Sequence, residues 1–76
     1  MNAFPRITHD PAVMAGRACV RGQRVTVAAI VRQLSAGATA QQLLADYPYL
    51  EAADIQQALA YAAWRLEEQE YDLKAA

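Results

Sequence analysis

Two short β-prone runs, residues 18–21 and 24–26, flank a glycine turn at Gly22-Gln23, and the second run leads directly into an amphipathic helix. Such runs around a glycine turn are typical of a β-hairpin. Residues 16–27 contain no acid and three arginines: Arg17, Arg21 and Arg24. A basic hairpin fused to a helical unit favours a binding module over a catalyst.

Helix signals follow the hairpin. Apolar residues at i, i+3, i+4 and i+7 spacing predict a first helix that begins near Thr26 and ends at Gly37. A capping box of Thr39 and Gln42 begins the second helix, and Pro48 ends it. The two helices are therefore short and closely connected.

A third helix is predicted from about Glu51 to about Leu73, because no proline or glycine interrupts this range. The second and third helices fit a helix-turn-helix frame. We therefore predict a mainly α fold in a single domain, residues 1–76. Residues 1–26 form an extended segment and a basic β-hairpin, and residues 27–73 form a three-helix, helix-turn-helix unit with a long third helix.

The third helix carries apolar residues on two faces. At about 100° per residue, five apolar residues fall within about 60° of Ile55 and are predicted to face the core: Ala58, Leu59, Ala62, Leu66 and Leu73. Three aromatic residues fall on the opposite side, where an intermolecular interface is one interpretation: Tyr61, Trp64 and Tyr71. The alternative is that the hairpin folds over this face within one chain. The interface interpretation predicts that the Trp64→Ala substitution weakens association more than stability.

Composition indicates a folded, soluble, cytoplasmic protein. Hydrophobic residues make up 55% of the chain, which argues against disorder. No apolar run approaches the roughly 18 residues of a membrane span, and the first residues lack the apolar core of a secretory signal. A single cysteine cannot form an internal disulfide.

Charge is divided unevenly along the chain. Residues 1–45 hold five arginines and one acid, a net charge of +4, whereas residues 46–76 hold seven acids and two bases, a net charge of −5. Together they give the overall charge of −1. A basic half and an acidic half suit two partners, or two copies packed head to tail.

The chain offers little for catalysis. His9 and Cys19 are its single histidine and single cysteine, and they lack the third group that orients a nucleophilic dyad. No zinc-ligand spacing and no glycine-rich phosphate loop is present. We therefore expect no enzyme, no cofactor, no metal and no small-molecule substrate.

The residues give opposing indications about nucleic-acid binding. The hairpin arginines could contact phosphates, and Gln56 and Gln57 could hydrogen-bond adenine edges from the start of the third helix. Two acids at that position, Glu51 and Asp54, are expected to repel DNA phosphates, and the isoelectric point of about 5.6 is low for a DNA-binding domain. DNA binding therefore requires a dimer that pools its basic hairpins.

The order and spacing of several motifs resemble the family called domain of unknown function 433. They extend over residues 6–64 and comprise Arg6-Ile7-Thr8, Asp10-Pro11, Gly16-Arg17, Cys19-Val20-Arg21-Gly22, Arg24-Val25, Gly37, Asp46-Tyr47-Pro48-Tyr49-Leu50, Asp54-Ile55 and Ala58-Leu59-Ala60-Tyr61-Ala62. Members resemble homeodomain-like helix-turn-helix proteins, and many resemble antitoxins of type II toxin–antitoxin pairs. The resemblance implies a homodimer with two partners, a PIN-like ribonuclease toxin and operator DNA. Glu51 departs from the family's usual threonine or serine cap.

The leading functional hypothesis is an antitoxin that neutralises a ribonuclease by protein–protein contact. A PIN-type site is a cluster of acids that holds Mg²⁺, so an arginine inserted from the hairpin, Arg17, Arg21 or Arg24, could pair with those acids. The alternatives are a stand-alone DNA-binding transcriptional regulator and a dimerisation module without a toxin.

Overall fold

The computed structural model describes residues 3–69, with side chains as far as Glu67. Its elements are strands β1 (Ile7–Thr8) and β2 (Cys19–Val20), a 3₁₀ turn (Met14–Gly16), and helices α1 (Val27–Ser35), α2 (Ala40–Asp46) and α3 (Ala52–Gln69). The predicted mainly α fold, with an N-terminal strand pair and a long third helix, is confirmed. No helix among residues 3–69 is both long and apolar enough to cross a membrane.

The helix ends form as the capping residues predict. Thr26 Oγ1 accepts a hydrogen bond from the Ala29 amide at 2.9 Å and begins α1. Thr39 and Gln42 exchange both bonds of a capping box at the start of α2. After α1, Gly37 has a φ of 105°, and the hydrogen bonds that follow form a Schellman motif.

The strand pair differs in part from the predicted hairpin. β2 pairs antiparallel with β1, with Ile7 opposite Val20 and Thr8 opposite Cys19. The predicted partner run, residues 24–26, contributes one isolated bridge between Cys19 and Thr26. The reason is local: Thr26 already caps α1, so the chain leaves the extended conformation before a ladder can grow.

The turn after β2 is centred one residue earlier than predicted. Arg21 and Gly22 both have positive φ, 46° and 72°, and the Gln23 amide donates to the Val20 carbonyl at 2.8 Å. Positive φ at both central residues is the pattern of a type I′ turn. Arg21 therefore adopts a backbone conformation that non-glycine residues rarely occupy.

The core is formed where α1 packs against α3 and the strands close one side. Its buried members are Ile7, Val20, Val25, Val27, Ile30, Leu43, Leu50, Ile55 and Ala58. The predicted inward stripe of α3 is only partly correct, because Leu59 and Leu66 are 42% and 70% exposed. Leu73 lies outside the described residues.

The buried face of α3 is rotated away from those two leucines. Asp54 is fully buried and Tyr61 is half-buried, and both fall on the other side of Ile55 around the helix. The predicted core stripe of α3 contained only aliphatic residues and therefore excluded Asp54 and Tyr61. Its centre was consequently placed too far towards Leu59 and Leu66.

Candidate partner-binding surface

Two arginines stand side by side at the end of the strand pair. Arg6 and Arg21 continue the register beyond Ile7 and Val20, and the Arg21 amide donates to the Arg6 carbonyl at 2.7 Å. Like charges opposite each other on paired strands are destabilising. The fold therefore requires an acid at this point.

Asp54, in the first turn of α3, supplies that acid. Its Oδ1 accepts from Arg6 Nη1 at 2.7 Å and from Arg21 Nε at 3.0 Å. Its Oδ2 accepts from Arg21 Nη2 at 2.8 Å. The carboxylate is fully buried, whereas each arginine side chain is about one third exposed. One buried charge thus joins β1, β2 and α3.

The neighbouring groups complete this ion-pair network. Arg6 Nη1 also donates to Glu51 Oε1 at 2.8 Å, and Arg21 Nη2 donates to the Tyr49 carbonyl at 2.6 Å. The Glu51 amide donates to Asp54 Oδ2 at 2.9 Å, which is one half of a capping box. Two arginines and two carboxylates give the network no net charge.

The network determines the ionisation of Asp54. Burial raises the pKa of this carboxyl, but hydrogen bonds from Arg21, from Arg6 and from the Glu51 amide more than offset burial, and the pKa falls from 3.8 to about 2. The hydrogen bond to Asp54 raises the pKa of Arg21. Asp54 is therefore a structural anion and not a proton donor at neutral pH.

Several predicted contact residues are already engaged inside the molecule. Arg21 belongs to the network, and the Gln57 side chain accepts from the Arg6 amide. Gln56 is exposed. Glu51 and Asp54, which we expected to repel DNA phosphates, are neutralised by Arg6 and Arg21.

Four other arginines are exposed, and none of them forms an ion pair with the side chains described: Arg17, Arg24, Arg32 and Arg65. Three of these, all except Arg24, line an open groove of 890 Å³ between α1 and residues 61–66 of α3. Among the described residues no acid lines this groove. We call it the basic groove.

The aromatic face of α3 is partly covered by the N-terminal segment. Phe4 lies against Tyr61 and Trp64, with ring centroids 5.4 and 5.7 Å apart. His9 Nε2 is 3.1 Å from the Tyr61 hydroxyl. Tyr61 is half-buried and Trp64 remains 40% exposed, while Tyr71 lies outside the described residues. The role of this face as an interface stays a prediction.

The single cysteine is poorly placed for chemistry. Cys19 is buried on β2, and burial raises the pKa of its thiol. His9 is exposed and bonded to Tyr61 rather than directed at a nucleophile. Within residues 3–69, no group of three or more His, Cys, Asp or Glu side chains could hold a metal ion.

Residues 7–62 match the model of the family described as protein of unknown function, DUF433. The chain belongs to this family. A crystal structure of a DUF433 member protein from Anabaena variabilis ATCC 29413 is similar, with a TM-score of 0.77 and 35% sequence identity. The similarity covers 83% of this chain and 62% of that chain, so this DUF433 member spans less than two thirds of its neighbour's length. No curated protein matches the sequence.

The DUF433 match contains Asp54 and Arg21 but ends before two residues of the basic groove, Arg65 and Leu66. The ion pair of Arg6 with Asp54 and the convergence of Arg32 and Arg65 were not predicted from the sequence. The absence of any acid between Arg17 and Arg32 was the available signal for the groove.

Proposed function

We propose that this DUF433 member is a non-catalytic antitoxin of a type II toxin–antitoxin pair. It neutralises a PIN-like ribonuclease by protein–protein contact, and the contact is made by Arg17 and Arg24. These guanidinium groups pair with carboxylates that hold Mg²⁺ in the nuclease.

The observation that carries this proposal is that some arginines are ion-paired within the molecule and others are not. Arg6 and Arg21 are held by Asp54, whereas Arg17 and Arg24 are exposed and form no ion pair within the described side chains. A guanidinium group presents donors in a planar fork that matches a carboxylate. Arg17 and Arg24 are therefore available to a partner's acids, and Arg21, which we first included, is not.

Protein contact is better supported than DNA contact because of the start of α3. A recognition helix contacts base edges with its N-terminal residues. In α3 this region is occupied by the ion-pair network, and Gln57 is bonded to the Arg6 backbone. Only Gln56 of the two predicted base-reading side chains is exposed and without an intramolecular partner among the described residues.

The test is co-expression with the protein encoded by the neighbouring gene, followed by purification of the complex and an RNA-cleavage assay. We expect a stable hetero-complex in which RNA cleavage is suppressed. The double variant Arg17→Ala, Arg24→Ala should raise the concentration needed for suppression by about 100-fold, since desolvated charge pairs are strong contributors to binding. Gln41→Ala is the control, because it changes an exposed polar side chain of α2 outside both this pair and the basic groove.

Full suppression by the double variant contradicts the arginine-contact mechanism. If no complex forms and the chain instead binds its own promoter DNA with strong salt dependence, the antitoxin proposal fails and DNA-binding regulation replaces it.

A further inference from the structure

We propose that the basic groove binds the acidic sequence that follows Leu66 in a second copy, so that two copies form a reciprocal dimer. This inference concerns contact between copies, and of the groove residues only Arg17 is also assigned to the proposed nuclease contact. The acidic sequence, residues 67–73, is Glu-Glu-Gln-Glu-Tyr-Asp-Leu. We call it the acidic segment.

The basic groove combines three positive charges with apolar surface. Arg17, Arg32 and Arg65 line it, and no acid among the described residues does so. Between the charges lie apolar side chains of α1 and α3, including Val31, Ala62 and Leu66. Leu66 is 70% exposed although it belongs to this surface. Apolar side chains that lie together on the surface with charged residues around them are typical of an interaction site.

The chemistry of the groove selects an occupant that is both acidic and apolar. Arginine pairs with carboxylates through paired hydrogen bonds, and complementary charge provides specificity and fast association. Exposed ion pairs alone contribute little, so affinity requires that Val31 and Leu66 be covered by apolar groups. A purely acidic ligand satisfies only half of this site.

The acidic segment has both properties. It contains four acids and no base, together with Tyr71 and Leu73. It follows directly after the groove residues of the same helix, and Glu67 is exposed. The opposite charges of the groove and the acidic segment follow the uneven division of charge along the sequence, +4 in residues 1–45 and −5 in residues 46–76.

A second copy is the occupant because of the direction of α3. The groove residues of α3 are Tyr61, Ala62, Arg65 and Leu66. Glu67 falls about 170° from the centre of this set around the helix at about 100° per residue. A chain's own Glu67 therefore faces away from its own groove, whereas the Glu67 of another copy is free to approach it.

The contact is made twice in a two-fold dimer. Each copy contributes one groove and one acidic segment, so that the same residues are buried on both sides. A 76-residue chain has a small core, and a second copy adds stability by mass action.

The first measurement is light scattering of the full chain after size exclusion, over a series of protein and salt concentrations. We expect a mass of two chains, with a dissociation constant that rises as salt is added. The groove variant, Arg32→Glu with Arg65→Glu, reverses the charge of the groove. It should raise the dissociation constant by about 100-fold, because the groove and the acidic segment then carry like charge. Arg24→Glu is the control, since Arg24 carries the same charge outside the groove. Circular dichroism verifies that each variant is folded.

A charge exchange provides the decisive test. The segment variant, Glu67→Lys with Glu68→Lys and Glu70→Lys, reverses the charge of the acidic segment. Each variant alone should be monomeric, since its own groove and segment now carry like charge. An equimolar mixture of the groove variant and the segment variant should form a dimer, because each groove again meets a segment of opposite charge.

Three results overturn the inference: a wild-type chain that is monomeric throughout, a mixture that stays monomeric, or dissociation by Arg24→Glu equal to that of the groove variant. A dimer that Trp64→Ala dissociates but the groove variant does not places the interface on the aromatic face instead. None of these measurements involves a nuclease, so their failure leaves the proposed function untouched.

Discussion

Arg21 binds the carboxylate of Asp54 through both Nε and Nη2 while its own backbone holds a φ of 46°. Left-handed backbone at a non-glycine residue costs about 1–3 kcal/mol and persists only where surrounding interactions determine it. The ion-pair network is that determinant, so side-chain bonding and backbone conformation at Arg21 are coupled.

Substituting Arg21 by glycine and by alanine separates the two effects. Both variants lose the bonds to Asp54, but only glycine adopts positive φ without steric strain. We expect Arg21→Gly to be more stable than Arg21→Ala by about 1 kcal/mol, measured by urea unfolding. Arg24 is the control, because its φ is not positive. There the order should reverse, and the same order at both positions contradicts the strain argument.

Removing the shared carboxylate should destabilise the domain. Asp54→Asn leaves Arg6 and Arg21 opposite each other without an anion between them. We expect a loss of about 2–4 kcal/mol in the free energy of unfolding, since hydrogen bonds to charged groups are worth about 1.5–3 kcal/mol and the two arginines can still reach water. Asp46→Asn, at an exposed acid at the end of α2, should change stability little. Equal unfolding midpoints for the two variants argue against the network.

Acid should lower the free energy of unfolding of the wild-type chain between about pH 5 and about pH 2. The pKa of Asp54 is lowered from 3.8 to about 2, so the folded state binds fewer protons than the unfolded state between these values. The stabilisation is complete above the unfolded value and is lost as pH falls through the folded one. The full stabilisation amounts to about 2–3 kcal/mol by the conversion of about 1.4 kcal/mol for each pH unit.

The check is the free energy of unfolding of wild type and of Asp54→Asn at several pH values. The difference between the two should be largest near neutral pH and should shrink by about 2 kcal/mol between about pH 5 and about pH 2. A difference that stays constant across this range assigns the acid sensitivity to other groups.

Phe4 should control the environment of the single tryptophan. Its ring lies 5.7 Å from Trp64 and 5.4 Å from Tyr61. In Phe4→Ala we expect Trp64 emission to shift to longer wavelength and acrylamide quenching to increase, with a loss of about 1 kcal/mol from the aromatic contacts. Tyr49→Ala removes an aromatic contact with Tyr47 elsewhere and serves as the control. Unchanged emission in Phe4→Ala contradicts the packing of the N-terminal segment.

Signals confined to a few consecutive residues were sufficient for the helices. Thr39 with Gln42, and Gly37, each act within one turn and cap their helices as predicted, and Thr26 caps α1 at the residue near which that helix was expected to begin. The partner of β2 was not predictable in this way. β1 has only two residues, and a long loop separates it from β2, so no short sequence pattern indicates that the two strands pair.

The ion-pair network escaped prediction for the same reason and for a second one. Arg6 and Asp54 are 48 residues apart in sequence. In addition, a carboxylate on an alanine-rich helix predicts that its face of the helix is solvated. Burial of the Asp54 carboxylate is favourable only because Arg6 and Arg21, beside the two strands, donate hydrogen bonds to it. The predicted face of α3 was misplaced accordingly, with Leu59 and Leu66 inside and Asp54 outside.

The position of Asp54 late in the chain affects how the domain is assembled during synthesis. Arg6 and Arg21 leave the ribosome before the acid that neutralises them has been made, because translation proceeds from the N-terminus. The strand pair joins two like charges, so its closure is unfavourable until the first turn of α3 has emerged. We therefore expect the nascent chain to form its helices first and to attach its beginning last.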